Sequence, residues 1–371
     1  LKPEAVVEKM MSFYRMHYSN VHRGAYYLSE QATAEYEKAR ETVARFVNAG
    51  SREIVFTRSA TESINLAAAS WGMHNLKPGD EILLSEAEHH ANLVPWQMVR
   101  DQTGCTLNFF AVNDDGSFNP ENFYRALTPR TKLVGVAGIS NVLGTVFPVK
   151  EIAAAAHANG ALCLVDACQS VVHQKIDVKD IGCDFLAFSG HKTYGPTGIG
   201  VLYGRYELLA AMPPYQTGGD MVKSVTLQHT EFAEPPARFE AGTPAIAEAV
   251  GLGAALEYMS RLGMENIAAH EKALMDYALT RLAEIPELKV VGTAPDKGGV
   301  IAFALGSIHP QDVAFVLDKE GVAIRTGHHC AEPIVNRMGY TSLARASFGL
   351  YTTKEDIDRF VAALNKAKSF F

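Results

Sequence analysis

The feature that most constrains this chain is the recurrence of short apolar, β-branched runs, at Ile54-Val55-Phe56, Ile82-Leu83-Leu84, 107–112, 133–139, 162–165, 185–188 and 199–203. Runs of that length read as strands buried on both faces. Helical patterns separate several of them: Tyr36, Ala39, Val43, Phe46 and Val47 share one face, Asn119-Pro120 supplies a cap and a first residue, and 152–158 ends at Gly160. Strands alternating with helices predict an α/β fold with a doubly wound, mostly parallel sheet. In such a sheet ligands gather at the carboxyl ends of the strands, so the residues just past each run are where chemistry is expected.

The periodicity fails from about 205 to 244, where Pro213-Pro214, Gly218-Gly219 and Pro235-Pro236 mark a long irregular stretch. A helical run over 245–259 leads into a second α/β region, with strands near Val290 and at 300–305, 322–325 and 344–348. The last helix opens on Thr353 and Asp356, spaced as a capping box. The expected division is a large domain over 1–260 and a smaller C-terminal domain over 261–371, and 371 residues are enough for two cores.

Charge and cysteine content narrow the function. With 34 basic and 41 acidic residues the net charge is −7, which argues against nucleic-acid binding as the main task. Five cysteines, an odd number without a C-x-x-C pair, suit a reducing compartment and leave one thiol free to react. No apolar run approaches the roughly 20 residues that span a bilayer, and the first nine residues lack the pattern of a signal peptide. A soluble, cytoplasmic enzyme is the expectation.

Two strand ends offer a specific chemistry. Asp166 closes the 162–165 run and Lys192 follows the 185–188 run, one strand-to-strand repeat later. A pyridoxal phosphate enzyme needs this pair: an amine for the Schiff base and a carboxylate that keeps the pyridine nitrogen protonated. Taken singly, each also reads as a helix cap or a solvated lysine. Arg58 to Glu62 follows a strand and opens a helix, which suits a phosphate or a plain cap equally; Ser189 and His191 add donors. His89, after the 82–84 strand, can stack on a cofactor ring. His89-His90 with His328-His329-Cys330 would be a metal site, but adjacent histidines point apart and no acidic cluster completes it. Cys330 sits in a polar loop with Arg325, Gly327 and two histidines, surroundings that favour a nucleophilic thiolate. Cys163, Cys168 and Cys183 lie in or beside apolar strand runs, read as packing, and Cys105 stays unassigned. Arg345 offers a planar fork to a carboxylate, or a structural ion pair.

Over nearly its whole length the chain resembles class-V, fold-type-I pyridoxal phosphate enzymes, specifically the group II (Suf-type or Csd-type) cysteine desulfurases. The markers are His22-Arg23-Gly24, Glu88-His-His-Ala-Asn-Leu-Val-Pro-Trp96, Val165-Asp-Ala-Cys-Gln-Ser170, Ser189-Gly-His-Lys-Thr-Tyr-Gly-Pro-Thr-Gly-Ile-Gly200, Phe239-Glu-Ala-Gly-Thr-Pro244 and Arg325-Thr-Gly-His-His-Cys-Ala331. The last of these points to the desulfurase branch. The resemblance implies Lys192 as Schiff-base lysine and Asp166 as partner of the pyridine nitrogen. Gln169 would bond the phenolic oxygen, and His89 would stack on the ring. Thr61, Ser189 and His191 would hold the phosphate, with Thr243 from the other subunit of a homodimer. Asn141 and Arg345 would bind the substrate carboxylate, with His22, Arg23 and Arg325 also on the substrate side, and Cys330 would carry the sulfur as a persulfide.

The products implied are L-alanine and sulfur passed to a SufE-like or CsdE-like acceptor or a related scaffold, as in iron–sulfur cluster assembly. A selenocysteine lyase, a class-V aminotransferase and a catalytically silent sulfur carrier are the alternatives. Two departures accompany the resemblance. The family's opening strand and small-residue turn, which close over the substrate, would precede Leu1-Lys2-Pro3, and Ala60 stands where relatives often carry Thr.

Overall fold

The structure is a computed structural model and describes residues 1–371. Seven strands form the large sheet: β1 (Ile54–Thr57), β2 (Glu81–Ser85), β3 (Thr106–Phe110), β4 (Thr131–Ala137), β5 (Leu162–Asp166), β6 (Phe185–Ser189) and β7 (Gly200–Gly204). Their order is β1-β7-β6-β5-β4-β2-β3, and only β7 runs against its neighbours. The chain winds outward from β2 to β3, then crosses back to β4 and continues the other way. The crevice at that reversal is where an open α/β sheet places its ligand.

Alternation along each strand splits the apolar residues between two cores, because successive side chains point to opposite faces. Phe56, Leu83, Val134, Val136, Val165, Leu186 and Phe188 join one core with Tyr36, Val43 and Val47 of helix Tyr27–Val47 and with helix Ile246–Leu262. Val55, Ile82, Leu84, Leu133, Leu164 and Ala187 join the other with Trp71 and Trp96. Both faces are covered, which is why these runs are continuously apolar rather than alternating.

A second, antiparallel sheet has the order β10-β11-β13-β12, from β10 (Leu288–Val291), β11 (Val300–Leu305), β12 (Arg325–Gly327) and β13 (Leu343–Ser347). Ile301, Phe303, Ala344 and Ala346 pack under helices Met264–Leu282, Pro310–Lys319 and Lys354–Phe370. Ala302 and Leu343, of opposite parity, pack instead against the large-sheet core. Arg345 shares the parity of Leu343 and so faces the large sheet. Thr353 and Asp356 form the expected capping box, and the Asn119 side chain accepts the Asn122 N–H at 2.8 Å.

Two local expectations shift. The stretch read as irregular contains a helix, Tyr206–Ala211, and a hairpin of β8 (Val222–Val225) and β9 (Thr230–Phe232). Most of the hairpin's side chains are exposed, so no buried face imposes apolar alternation on its sequence. The strand expected over 322–325 begins only at Arg325, because Val322 and Ile324 pack against the small-sheet core before the ladder starts.

Candidate active site

Five strand ends meet at one cavity of about 250 Å³ between the two sheets. Asp166 ends β5 and is 5% exposed; its Oδ1 accepts the Cys168 N–H at 2.9 Å. Lys192 follows β6 on a single 3₁₀ turn, Gly190–Lys192, and its half-buried amine enters the cavity without a hydrogen bond or ion pair to the chain. The turn is held by the Gly190 N–H on the Ile199 carbonyl at 2.9 Å. The lysine and the carboxylate therefore arrive from adjacent parallel strands, as the spacing implied.

A second end of the cavity is built where β1, β6 and β7 converge. Gly200 pairs in register with both Thr57 and Ser189, and a Cβ there would lie 2.4 Å from the Ser59 carbonyl carbon, so this close approach requires glycine. The Ser59 side chain caps helix Ala60–Leu66 by accepting the Glu62 N–H at 3.4 Å, while Glu62 reaches back to the Arg58 N–H at 2.6 Å. Ser189 Oγ accepts the Ala60 N–H at 2.9 Å, which links the two strand ends. Thr61, Ser189 and His191 line this end. Burial, with the Lys192 and Lys2 ammonium groups behind it, holds His191 below the usual imidazole range.

His89 forms one wall, its Nδ1 accepting the Ala91 N–H at 3.0 Å. Burial lowers its pKa against the opposing pull of Asp166, so the ring is neutral near pH 7. Behind it Glu88, 2% exposed, accepts the Asn92 amide at 2.7 Å and the Ala137 N–H at 2.9 Å, and Asn92 in turn accepts the Trp96 indole N–H at 3.0 Å. Burial pushes Glu88 up to about 8, so its carboxyl holds a proton near neutral pH. Sequence reasoning missed Glu88 as a site element. The signal was its four-residue spacing to Asn92 and then Trp96.

The small sheet supplies the cationic side. Arg325 and Arg345 are register partners across β12 and β13, both line the cavity, and neither is paired with a carboxylate of the chain. Like charges directly opposite each other destabilise a sheet, and the facing guanidiniums leave this wall of the cavity with an unneutralised positive charge. Arg345 Nη1 donates to the Asn141 carbonyl at 2.6 Å while its Nε is buried without a partner. Burial and the neighbouring Arg325 lower Arg345 to about 10. The Asn141 amide donates to the His329 carbonyl at 2.7 Å. Gln169 is half-buried beside Asp166, and Cys330 is exposed on the cavity wall. Cys168, read as packing, is buried in the core and also lines the cavity.

His329 and Cys330 adopt φ of 54° and 56°, the left-handed region, at a cost of about 1–2 kcal/mol each. His329 Nε2 donates to the Leu343 carbonyl at 3.0 Å, and burial together with Arg345 lowers its pKa to about 4. An unfolded histidine takes its proton near pH 6.5. Between those values the unfolded state binds the extra proton, so stability falls as pH falls through this window. In urea unfolding, wild type is expected to lose about 2 kcal/mol more than His329→Gln between pH 7 and pH 5; equal losses would clear His329 as the cause.

Three expected residues lie outside the cavity of a single chain. Thr243 is exposed on the loop before helix Ile246–Leu262. His22 is drawn to Glu37 at 2.9 Å, and Arg23 to Asp220 at 2.5 Å. Nor do the two histidine pairs assemble as metal ligands: His89 and His90 diverge, with ring planes 51° apart, and no group of three potential ligands forms anywhere in the chain.

A doubly wound sheet that brings a lysine and a carboxylate to adjacent strand ends is the arrangement expected of a fold-type-I pyridoxal phosphate enzyme. Residues 1–360 match the Aminotransferase class-V family, and the chain belongs to it. A cysteine desulfurase of Dickeya dadantii is 52% identical over 98% of this chain and 89% of its own length. The apo structure of a cysteine desulfurase from Thermococcus onnurineus superposes with a TM-score of 0.97 at 39% identity, covering 100% of this chain and 93% of that one. The Escherichia coli cysteine desulfurase CsdA, in an S-sulfonic acid form, gives 0.93 at 40% identity with the same coverage.

Proposed function

We propose that this chain is a pyridoxal 5′-phosphate-dependent cysteine desulfurase that converts L-cysteine to L-alanine and retains the sulfur on Cys330. One observation carries the reading: the Lys192 amine, the Asp166 carboxylate, the Cys330 thiol and two unpaired arginines share a single cavity.

The donor set fits the cofactor. Only one Asp166 oxygen is bonded within the chain, which leaves the other for a ring N–H. Thr61 lies in the first turn of helix Ala60–Leu66, and Ser189 and His191 lie beside it at the end of β6, where hydroxyls and the helix dipole suit a phosphate. Bound there, the cofactor withdraws electrons from the substrate Cα and makes its C–H bond acidic. Lys192 would anchor it, and its amine in the cavity is the base that takes the Cα proton. Asp166 would hold the proton on the ring nitrogen, Gln169 would bond the phenolic oxygen and His89 would stack on the ring. Arg345, Arg325 and Asn141 orient the substrate carboxylate. The Cys330 thiolate then attacks the substrate sulfur: an S–S bond forms and the C–S bond breaks with its electron pair left on Cβ, and protonation of Cβ together with return of a proton from Lys192 to Cα gives L-alanine.

In this reading a small domain, 261–371, carries the Cys330 loop over a cofactor held by a large one, 1–260. Exposed Thr243 would reach the phosphate held by the other subunit of a homodimer. The short loop hinged at Gly327 keeps the persulfide close to the cavity until a SufE-like or CsdE-like acceptor, or a related scaffold, takes it for iron–sulfur cluster assembly in the cytoplasm. With L-cysteine and a thiol reductant the holoenzyme is expected to release alanine and sulfide in equal amounts, and absence of alanine refutes the proposal. Arg345→Ala is expected to raise KM for cysteine about 10- to 100-fold with the visible cofactor band retained. An unchanged KM would remove Arg345 from the carboxylate site.

A further inference from the structure

His89 and His90 are neighbours with different destinations. His89 faces the cavity, whereas His90 bonds the Cys330 loop at two points. Its backbone N–H donates to the Cys330 carbonyl at 2.7 Å, and its ring Nε2 accepts the Glu332 N–H at 3.1 Å. Glu332 opens helix Glu332–Arg337, and the residue before it, Ala331, has no side chain able to accept an orphan N–H. A ring 242 residues away in sequence therefore supplies the helix cap. The two bonded points flank Ala331 directly after Cys330, and the loop that leads into them holds Gly327, His329 and Cys330 at positive φ.

We infer that His90 is a positioning residue that clamps the Cys330 loop onto the strand end after β2 and so fixes the approach of Sγ to the cavity. The inference rests on the reading of Cys330 as sulfur carrier. The clamp needs a neutral ring with its proton on Nδ1, since Nε2 must accept. The backbone half survives any substitution except proline, so side-chain variants isolate the ring.

The test compares His90→Phe and His90→Gln holoenzymes with wild type. The visible band and the affinity for L-alanine are expected to stay unchanged in both. In His90→Phe, amide exchange at Glu332 should rise and single-turnover persulfide formation on Cys330, read by mass spectrometry, should slow about 10- to 100-fold. Gln carries an accepting amide oxygen and should restore most of both. Wild-type exchange at Glu332 in His90→Phe would overturn the clamp, and a wild-type persulfide rate would overturn its role in positioning Sγ. If wild type itself forms no persulfide, the sulfur-carrier reading fails, while Glu332 exchange still decides the clamp.

Discussion

Lys192→Ala is expected to yield a folded protein without the visible absorption band of the holoenzyme, with alanine formation from L-cysteine lowered about 10³-fold or more. Two losses combine: the covalent anchor of the cofactor and the base that takes the Cα proton. The amine makes no hydrogen bond or ion pair within the chain, so its removal leaves no buried partner stranded. Unfolding of the apoprotein should accordingly change by less than about 0.5 kcal/mol. A Lys192→Ala protein that keeps the band and turns over would refute the assignment of the site. A wild-type protein that shows no band with added cofactor would support the silent-carrier alternative.

Cys330→Ser separates cofactor chemistry from sulfur transfer. The side chain is exposed and only the sulfur is replaced, so the fold, the visible band and cysteine binding should persist. Alanine release from cysteine should fall at least about 100-fold, equivalent to about 2.7 kcal/mol in the barrier, because a serine hydroxyl cannot take up the sulfur. Cysteine turnover undiminished in Cys330→Ser would refute the persulfide route. The same variant assayed on selenocysteine tests the lyase alternative, which does not depend on this thiol.

Asp166 and Lys192 were legible because each directly follows an apolar run, and a parallel sheet delivers such positions to one edge. Cys330 was legible as the one cysteine in a polar, histidine-flanked loop. Arg325 and Arg345 were visible separately but not as a facing pair, since an antiparallel register joins residues 20 apart through a ladder that local sequence does not specify. Glu88 read as part of a motif, and its role behind His89 emerges from burial between two strand ends. The β8–β9 hairpin stayed hidden because solvent, not a core, meets its side chains.

By itself the sequence determined the strands of the large sheet, the helices that cover them and the residue types waiting at the strand ends. Those signals are local: they depend on side-chain period, on caps, and on glycine where backbones approach closely. Tertiary structure alone decided which waiting residues share a cavity, that His90 reaches the Cys330 loop, and that His22, Arg23 and Thr243 stand outside the cavity. These outcomes depend on strand register and on the docking of one sheet over another, which are set by the packing of whole faces rather than by any one segment.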